Sequence, residues 1–202
     1  MNFVAFDIGN VLCRVELDSF LFYLVEKELF AGYTEAYDFL EGIQVAQDLG
    51  MCDMKMGLKS LKRPLNQKIL NDILEKWNSI IYPSEDMLSL IDTLLSKNYK
   101  VALLSNIGKD HGALVRERFK IFSRCIQHFS FEVGARKPSE LYFQSFVLKY
   151  KWPLTTIFFD DREENIVAAS DYFTSVKFNL YDYDNDNEAV EFISKTVGIS
   201  DI

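Results

Sequence analysis

Two kinds of apolar pattern alternate along the chain. Residues 3–6, 101–104, 157–159 and, more weakly, 176–178 are short apolar runs without polar alternation, as expected of parallel strands covered on both faces. Three of them stop abruptly at polar residues: Asp7, Ser105-Asn106 and Asp160-Asp161. In a doubly wound sheet the carboxyl ends of the strands line the edge where ligands bind, so three distant stretches of sequence point at one crevice. Between the runs the period lengthens to that of a helix. Met87, Leu88, Leu90, Ile91, Leu94 and Leu95 form an apolar stripe opened by Pro83-Ser84-Glu85-Asp86, and residues 139–150 and 188–196 read as two further amphipathic helices.

Residues 16–82 break this alternation. Stripes such as Phe20, Tyr23, Leu24 and Ile69, Ile73, Leu74, Trp77 follow one another with no strand between them, which predicts an all-helical insertion. The expected architecture is α/β. Residues 1–15 and 83–202 build a Rossmann-like doubly wound parallel sheet, and residues 16–82 form a helical cap inserted after the first strand and lying over the crevice. A chain of 202 residues suffices for one such core with an insert and not for two large independent domains.

Charge and composition narrow the partners. With 22 Lys and Arg against 30 Asp and Glu, a net charge of −8 and no basic run, a nucleic-acid partner is not expected. Residues 3–6 are too short for a signal-peptide core and no stretch approaches a membrane span. The expectation is a cytoplasmic protein without a membrane partner, with monomer and homodimer both open. Cys13, Cys52 and Cys125 are odd in number and lack C-x-x-C spacing, which fits buried thiols in a reducing compartment. The acidic loop from Asp182 to Glu188 begins like a calcium loop, but Asn187 stands at the required glycine and Ile193 at the bidentate glutamate, so it reads as a solvated lead-in to the last helix. His111 and His128 are not spaced as a ligand pair.

Asp7, Ser105, Lys137 and Asp161 each have an ordinary reading: a turn former, a cap, a surface lysine, and an N-cap with Glu164 as its capping-box partner. In this order they also supply what phosphoryl transfer through an aspartyl-phosphate requires: a carboxylate nucleophile, a phosphate donor group, a cation and a second carboxylate for a metal. Asp7 and Asp161 together suit Mg2+, which takes oxygen ligands and keeps several waters. Lys137 and the metal would hold Asp7 ionised against an incoming phosphate.

Phe6-Asp7-Ile8-Gly9-Asn10-Val11-Leu12, Leu104-Ser105-Asn106, Arg136-Lys137-Pro138 and Phe158-Phe159-Asp160-Asp161 with Asn165 resemble the four ordered motifs of the haloacid-dehalogenase superfamily. The likeness is greatest to its small bacterial sugar-phosphate phosphatases with a helical cap. The resemblance implies Mg2+ as cofactor and a small phosphorylated metabolite as substrate. It implies Asp7 as nucleophile, Ser105 and the Asn106 backbone as phosphate ligands, and Lys137 as a bridge between phosphate and Asp7. The metal would be held by Asp7, Asp161 and the Gly9 carbonyl, with Asn10, Asp160 and Asn165 in support.

The departure from the pattern is Gly9, where most phosphatases of the superfamily carry a second Asp that protonates the leaving alcohol. Gly9 cannot do this and Asn10 exchanges no proton near neutral pH, which leaves His111, Glu16 and Asp18 as weak substitutes. Aryl phosphates are then expected to be cleaved much faster than alkyl phosphates. A dehalogenase would also lack the second Asp but has no use for the Asp160-Asp161 pair. The remaining alternative is a catalytically weak binding protein, which the missing acid and the aromatic insertion (Phe20, Phe22, Tyr23, Phe30, Tyr33, Tyr37, Phe39) would suit. At helical spacing those aromatics are first of all core.

Overall fold

The computed structural model describes residues 2–61 and 64–199. Its strands are β1 (Phe3–Phe6), β2 (Cys13–Val15), β3 (Ile81–Pro83), β4 (Lys100–Ser105), β5 (Ile126–Phe129), β6 (Ile157–Asp160) and β7 (Thr174–Lys177). Five of them form a sheet in the order β5-β4-β1-β6-β7, with every neighbouring pair parallel. Side chains alternate across its faces. Val4, Phe6, Leu103 and Phe159 enter one core layer, with helices α5 (Glu85–Ser96) and α10 (Asp186–Val197) packed on it. Ala5, Ala102, Leu104 and Phe158 enter the other, beneath Tyr142, Phe143 and Phe146 of α8 (Glu140–Tyr150). Both faces are dry, which is why these strands read as unbroken apolar runs.

The two edge strands are where the sequence reading falls short. β5 carries Gln127 and His128 and has no apolar run to announce it; its ladder to β4 defines it. β7 begins two residues ahead of the expected 176–178, because its register is set by pairing Ile157 with Thr174 and not by hydrophobicity. The last helix also starts earlier than residue 188. Asn185 caps it, accepting from Glu188 N at 3.1 Å while its side-chain amide donates to the Glu188 carboxylate at 2.9 Å, so the end of the acidic loop is an N-cap.

β2 and β3 pair antiparallel, Cys13 with Pro83 and Val15 with Ile81, so the chain between them leaves and rejoins the core at one place. β3 begins at Ile81, so residues 81 and 82, expected to close the all-helical stretch, are strand, because they pair with β2. Between them lie α1 (Leu17–Glu26), α2 (Tyr33–Asp48), α3 (Met54–Lys59) and α4 (Gln67–Ser79). Among the described residues no helix is long and apolar enough to cross a membrane, and the three cysteines are free, Cys13 and Cys125 buried and Cys52 half-buried.

The turn after α2 is held hard against the core. Gly50 sits at φ +71°, and a Cβ there would approach the Phe131 carbonyl oxygen to 2.5 Å. Left-handed backbone and a backbone clash both oppose a side chain. Gly50→Ala is expected to lower stability by about 1–3 kcal/mol, read as a fall in the urea midpoint with an unchanged m-value; an unshifted midpoint would contradict the contact.

Candidate active site

β1 lies between β4 and β6, with Phe6 in register with both Leu103 and Phe159. Neighbouring strands about 5 Å apart bring their carboxyl ends to one edge. Asp7 follows β1, Ser105 ends β4 and Asp160 ends β6 with Asp161 next, and the Asp7 N–H donates to the Phe159 carbonyl at 2.9 Å. Behind Asp7 the chain turns sharply. The Leu12 and Cys13 N–H groups donate to the Ile8 carbonyl, and Leu180 N–H to that of Asn10, so the turn's own bonds pass over the Gly9 carbonyl. Asn10 is in the left-handed region at φ 56°, which asparagine tolerates better than most residues. Its amide donates to Asp161 Oδ2 at 3.1 Å, tying the turn after β1 to the turn after β6.

Lys137 reaches the same point from the loop between α7 (Ser130–Val133) and α8. The Asn106 side chain clamps its backbone from both sides, donating to the Lys137 carbonyl and accepting from the Lys137 N–H, each at 2.8 Å. The buried ammonium then has three partners: the Leu104 carbonyl at 2.7 Å, Asp160 Oδ2 at 2.5 Å and Asp7 Oδ1 at 3.1 Å. Asp160 is saturated, since its other oxygen accepts from Arg162 N–H at 2.9 Å and from the Asn165 amide at 2.8 Å. Asp160 and Asn165 therefore orient Lys137. Asp161 does not cap the following helix α9 (Glu163–Ala169): Arg162 occupies the N-cap position, and Asp161 is left to the site.

Asp7, Asp160 and Asp161 place one carboxylate oxygen each within 4.8 Å of one another. Burial pushes the Asp7 carboxyl up to about 7, and Asp160 and Asp161 push the same way against the pull of Lys137 and a hydrogen bond from Ser105. Burial likewise raises Asp161, opposed by its bond from Asn10. For Lys137 burial works against the charge, but Asp160 and Asp7 outweigh it and raise its affinity for the proton. Although Lys137 is at ion-pair distance, Asp7 Oδ1 is buried with no aligned hydrogen-bond donor. A crowd of buried carboxylates with an orphaned oxygen is a set of donors short of positive charge.

Beside this cluster lies a cavity of ≈ 170 Å³ lined by Gly9, Ser105 and Asn106 of the sheet edge and by Leu40, Asp48 and Trp77 of the α1–α4 segment. None of the seven aromatics singled out in the sequence lines it. Phe20 and Phe30 are core, while Phe22, Tyr33 and Tyr37 are exposed. His111 does line it, but its ring stacks on Trp77 at 4.2 Å and bonds the Trp77 carbonyl through Nε2 at 3.0 Å. Burial lowers its pKa to about 4, so it is neutral and carries no proton to give near pH 7. Glu16 and Asp18 accept from the hydroxyls of Tyr82 and Tyr33, at 2.6 and 2.5 Å, and neither lines the cavity.

No family model matches the chain, and no curated protein sequence does either. Solved structures match it along most of its length. A HAD family enzyme from Bacteroides thetaiotaomicron, in complex with magnesium and inorganic phosphate, superposes with a TM-score of 0.74 at 22% identity over 88% of this chain and 93% of its own. A predicted HAD-like family hydrolase from Porphyromonas gingivalis gives 0.76 at 20% identity, over 96% and 97%. A HAD phosphatase from Thermococcus onnurineus gives 0.70 at 17%, over 100% of both chains. The chain has the haloacid-dehalogenase (HAD) fold.

Within this HAD fold, one site residue carries no sequence signal. Asp48, at the end of α2, is buried and lies 3.2 Å from Arg136 Nε. The pair joins the α1–α4 segment to the loop that bears Lys137. A Gly two residues past a helical Asp marks the helix end, but nothing in the pattern says that the Asp turns inward.

Proposed function

We propose that the protein is a Mg2+-dependent phosphomonoester hydrolase of small phosphorylated metabolites, working through a phosphorylated Asp7. One observation carries this reading: a buried carboxylate, Asp7, whose Oδ1 has an ion pair with the buried Lys137 ammonium but no hydrogen bond, beside two further carboxylates. Residues 16–82 act as the cap that walls the cavity, and its small volume suits a compact leaving group.

The residues present fit a magnesium ion. Asp7, Asp161 and the Gly9 carbonyl would hold it, and when bound it neutralises charge on the phosphoryl oxygens. Asp7 attacks phosphorus; its O–P bond forms as the bond to the leaving oxygen breaks. Ser105 and the Asn106 N–H donate to the phosphoryl oxygens, and Lys137 keeps Asp7 ionised while the dianion approaches. Water then attacks the aspartyl-phosphate, releasing phosphate and restoring Asp7. Asp161, which neither caps α9 nor pairs with Lys137 and so is left to a cation, counts against a dehalogenase.

The test is a phosphatase screen over a metabolite panel with and without Mg2+. Metal-dependent release of phosphate is expected; metal-independent turnover would contradict the mechanism, and inactivity on every compound would favour a binding protein. A second expectation concerns pH. Asp7, pushed up to about 7, must lose its proton before a cation can bind, so apparent Mg2+ affinity falls as pH drops below that value, by up to about tenfold per unit. Titration calorimetry at pH 6 and pH 8 measures it, and equal affinities would refute the assignment of Asp7 as a metal ligand.

A further inference from the structure

We propose that Asp48 is the general acid and base that Gly9 cannot be, delivering its proton to the leaving oxygen across the cavity. The inference rests on the phosphatase reading above and supplies its missing proton.

The argument is one of position and availability. Asp48 lines the same cavity as Gly9, Ser105 and Asn106, and it comes from the α1–α4 segment while they come from the ends of β1 and β4. Its side chain is only 6% exposed and Arg136 Nε stands 3.2 Å from Oδ2; beyond that ion pair the buried Oδ2 accepts no hydrogen bond. The other carboxylates that line the cavity are engaged. Asp53 accepts from Met56 N–H at 2.7 Å and Asp110 from Met54 N–H at 2.9 Å, both at the N-terminal end of α3. His111 is held neutral and tied to Trp77. Among the carboxylates that line the cavity Asp48 is the buried one, and its recorded engagement is the ion pair with Arg136.

The charges around it set a usable proton affinity. Burial raises the Asp48 carboxyl to about 6, against the pull of Arg136, Lys137 and Arg162. Lys109, Asp53 and Asp110 also face the cavity. A donor close to the working pH is protonated often enough to act and yields its proton readily.

The steps balance. As the O–P bond to Asp7 forms and the leaving oxygen separates with its electron pair, the Asp48 carboxylic proton passes to that oxygen and a neutral alcohol departs. Asp48, now a carboxylate, takes a proton from the water that attacks the aspartyl-phosphate. Inorganic phosphate leaves, Asp7 is free, and Asp48 is protonated again. The contrast expected between aryl and alkyl phosphates then belongs to the protein without this group.

The experiment compares p-nitrophenyl phosphate with a simple alkyl phosphate, in Mg2+, for the parent, Asp48→Asn and Arg136→Gln. Asp48→Asn should lower kcat on the alkyl ester by about 100-fold or more, at least tenfold more than on the aryl ester, whose leaving group needs little help, and should abolish the fall in alkyl turnover above pH 6. Arg136→Gln breaks the ion pair between cap and core, so a merely structural role for Asp48 would make both variants lose equally on both esters. Equal losses in Asp48→Asn, or an unchanged pH profile, would overturn the proposal. A parent inactive on both esters would instead overturn the phosphatase reading on which it rests.

Discussion

Asp7→Asn is expected to abolish turnover, by about 10,000-fold or more, and to leave the protein at least as stable as the parent. The amide has the carboxylate's shape, so β1 and its neighbours keep their packing. It lacks the anionic oxygen, and no aspartyl-phosphate can form. The stability forecast follows from the same crowding. Burial and the nearby Asp160 and Asp161 make an ionised Asp7 costly, raising its carboxyl to about 7, and Lys137 keeps its closer partner Asp160 at 2.5 Å in the variant. Turnover and a denaturant melt together check this. Labelled phosphate trapped on the parent and absent from Asp7→Asn would add the chemical proof, whereas a variant retaining a hundredth of parental activity would remove Asp7 as nucleophile.

Lys137→Met should cost both activity and fold. The ammonium is buried and holds three acceptors from three segments, Leu104, Asp160 and Asp7, over the face of Phe158 at 5.5 Å. Removing one partner of a buried pair strands the others, at about 3–5 kcal/mol. Asp7 and Asp160 then face each other with no cation between them, so Asp7 is more often protonated and no longer nucleophilic; a loss of about 1,000-fold or more in kcat is expected. Mg2+ should restore part of the stability, since it places charge where the ammonium was lost. A Met variant that melts at the parental midpoint would show that Lys137 is not the counter-charge the geometry makes it. Lys137→Arg should rescue little, because the larger fork does not fit a buried three-acceptor site clamped by Asn106.

The sheet and its edge are legible in the chain for a definite reason. A parallel strand covered on both faces must be apolar throughout, so β1, β4 and β6 stand out, and each ends where a polar residue meets the crevice. Asp7, Ser105 and Asp160-Asp161 need only that the three strands be neighbours. β5 and β7 are less legible because an edge strand pairs on one side, which lets Gln127 and Lys177 sit where a central strand would carry Val or Ile. The ordinary reading of Asp161 as a helix cap fails, because the spacing to Glu164 fits a capping box while the backbone puts Arg162 at that position.

Local pattern thus determined the element types, the place of the helical insertion, and the four groups of polar residues that could share a site, because hydrophobic period and abrupt polar stops are properties of neighbouring residues. Only the tertiary structure decided which of those groups touch, how Lys137 divides itself between Asp160 and Asp7, and which polar side chain faces them across the cavity. Asp48 shows why. At the end of an amphipathic helix an aspartate is ordinarily solvated, and it is buried here because the Gly50 turn packs on the Phe131 carbonyl while Arg136 meets it from the loop that carries Lys137. Those contacts join residues far apart in sequence, and no local period encodes them.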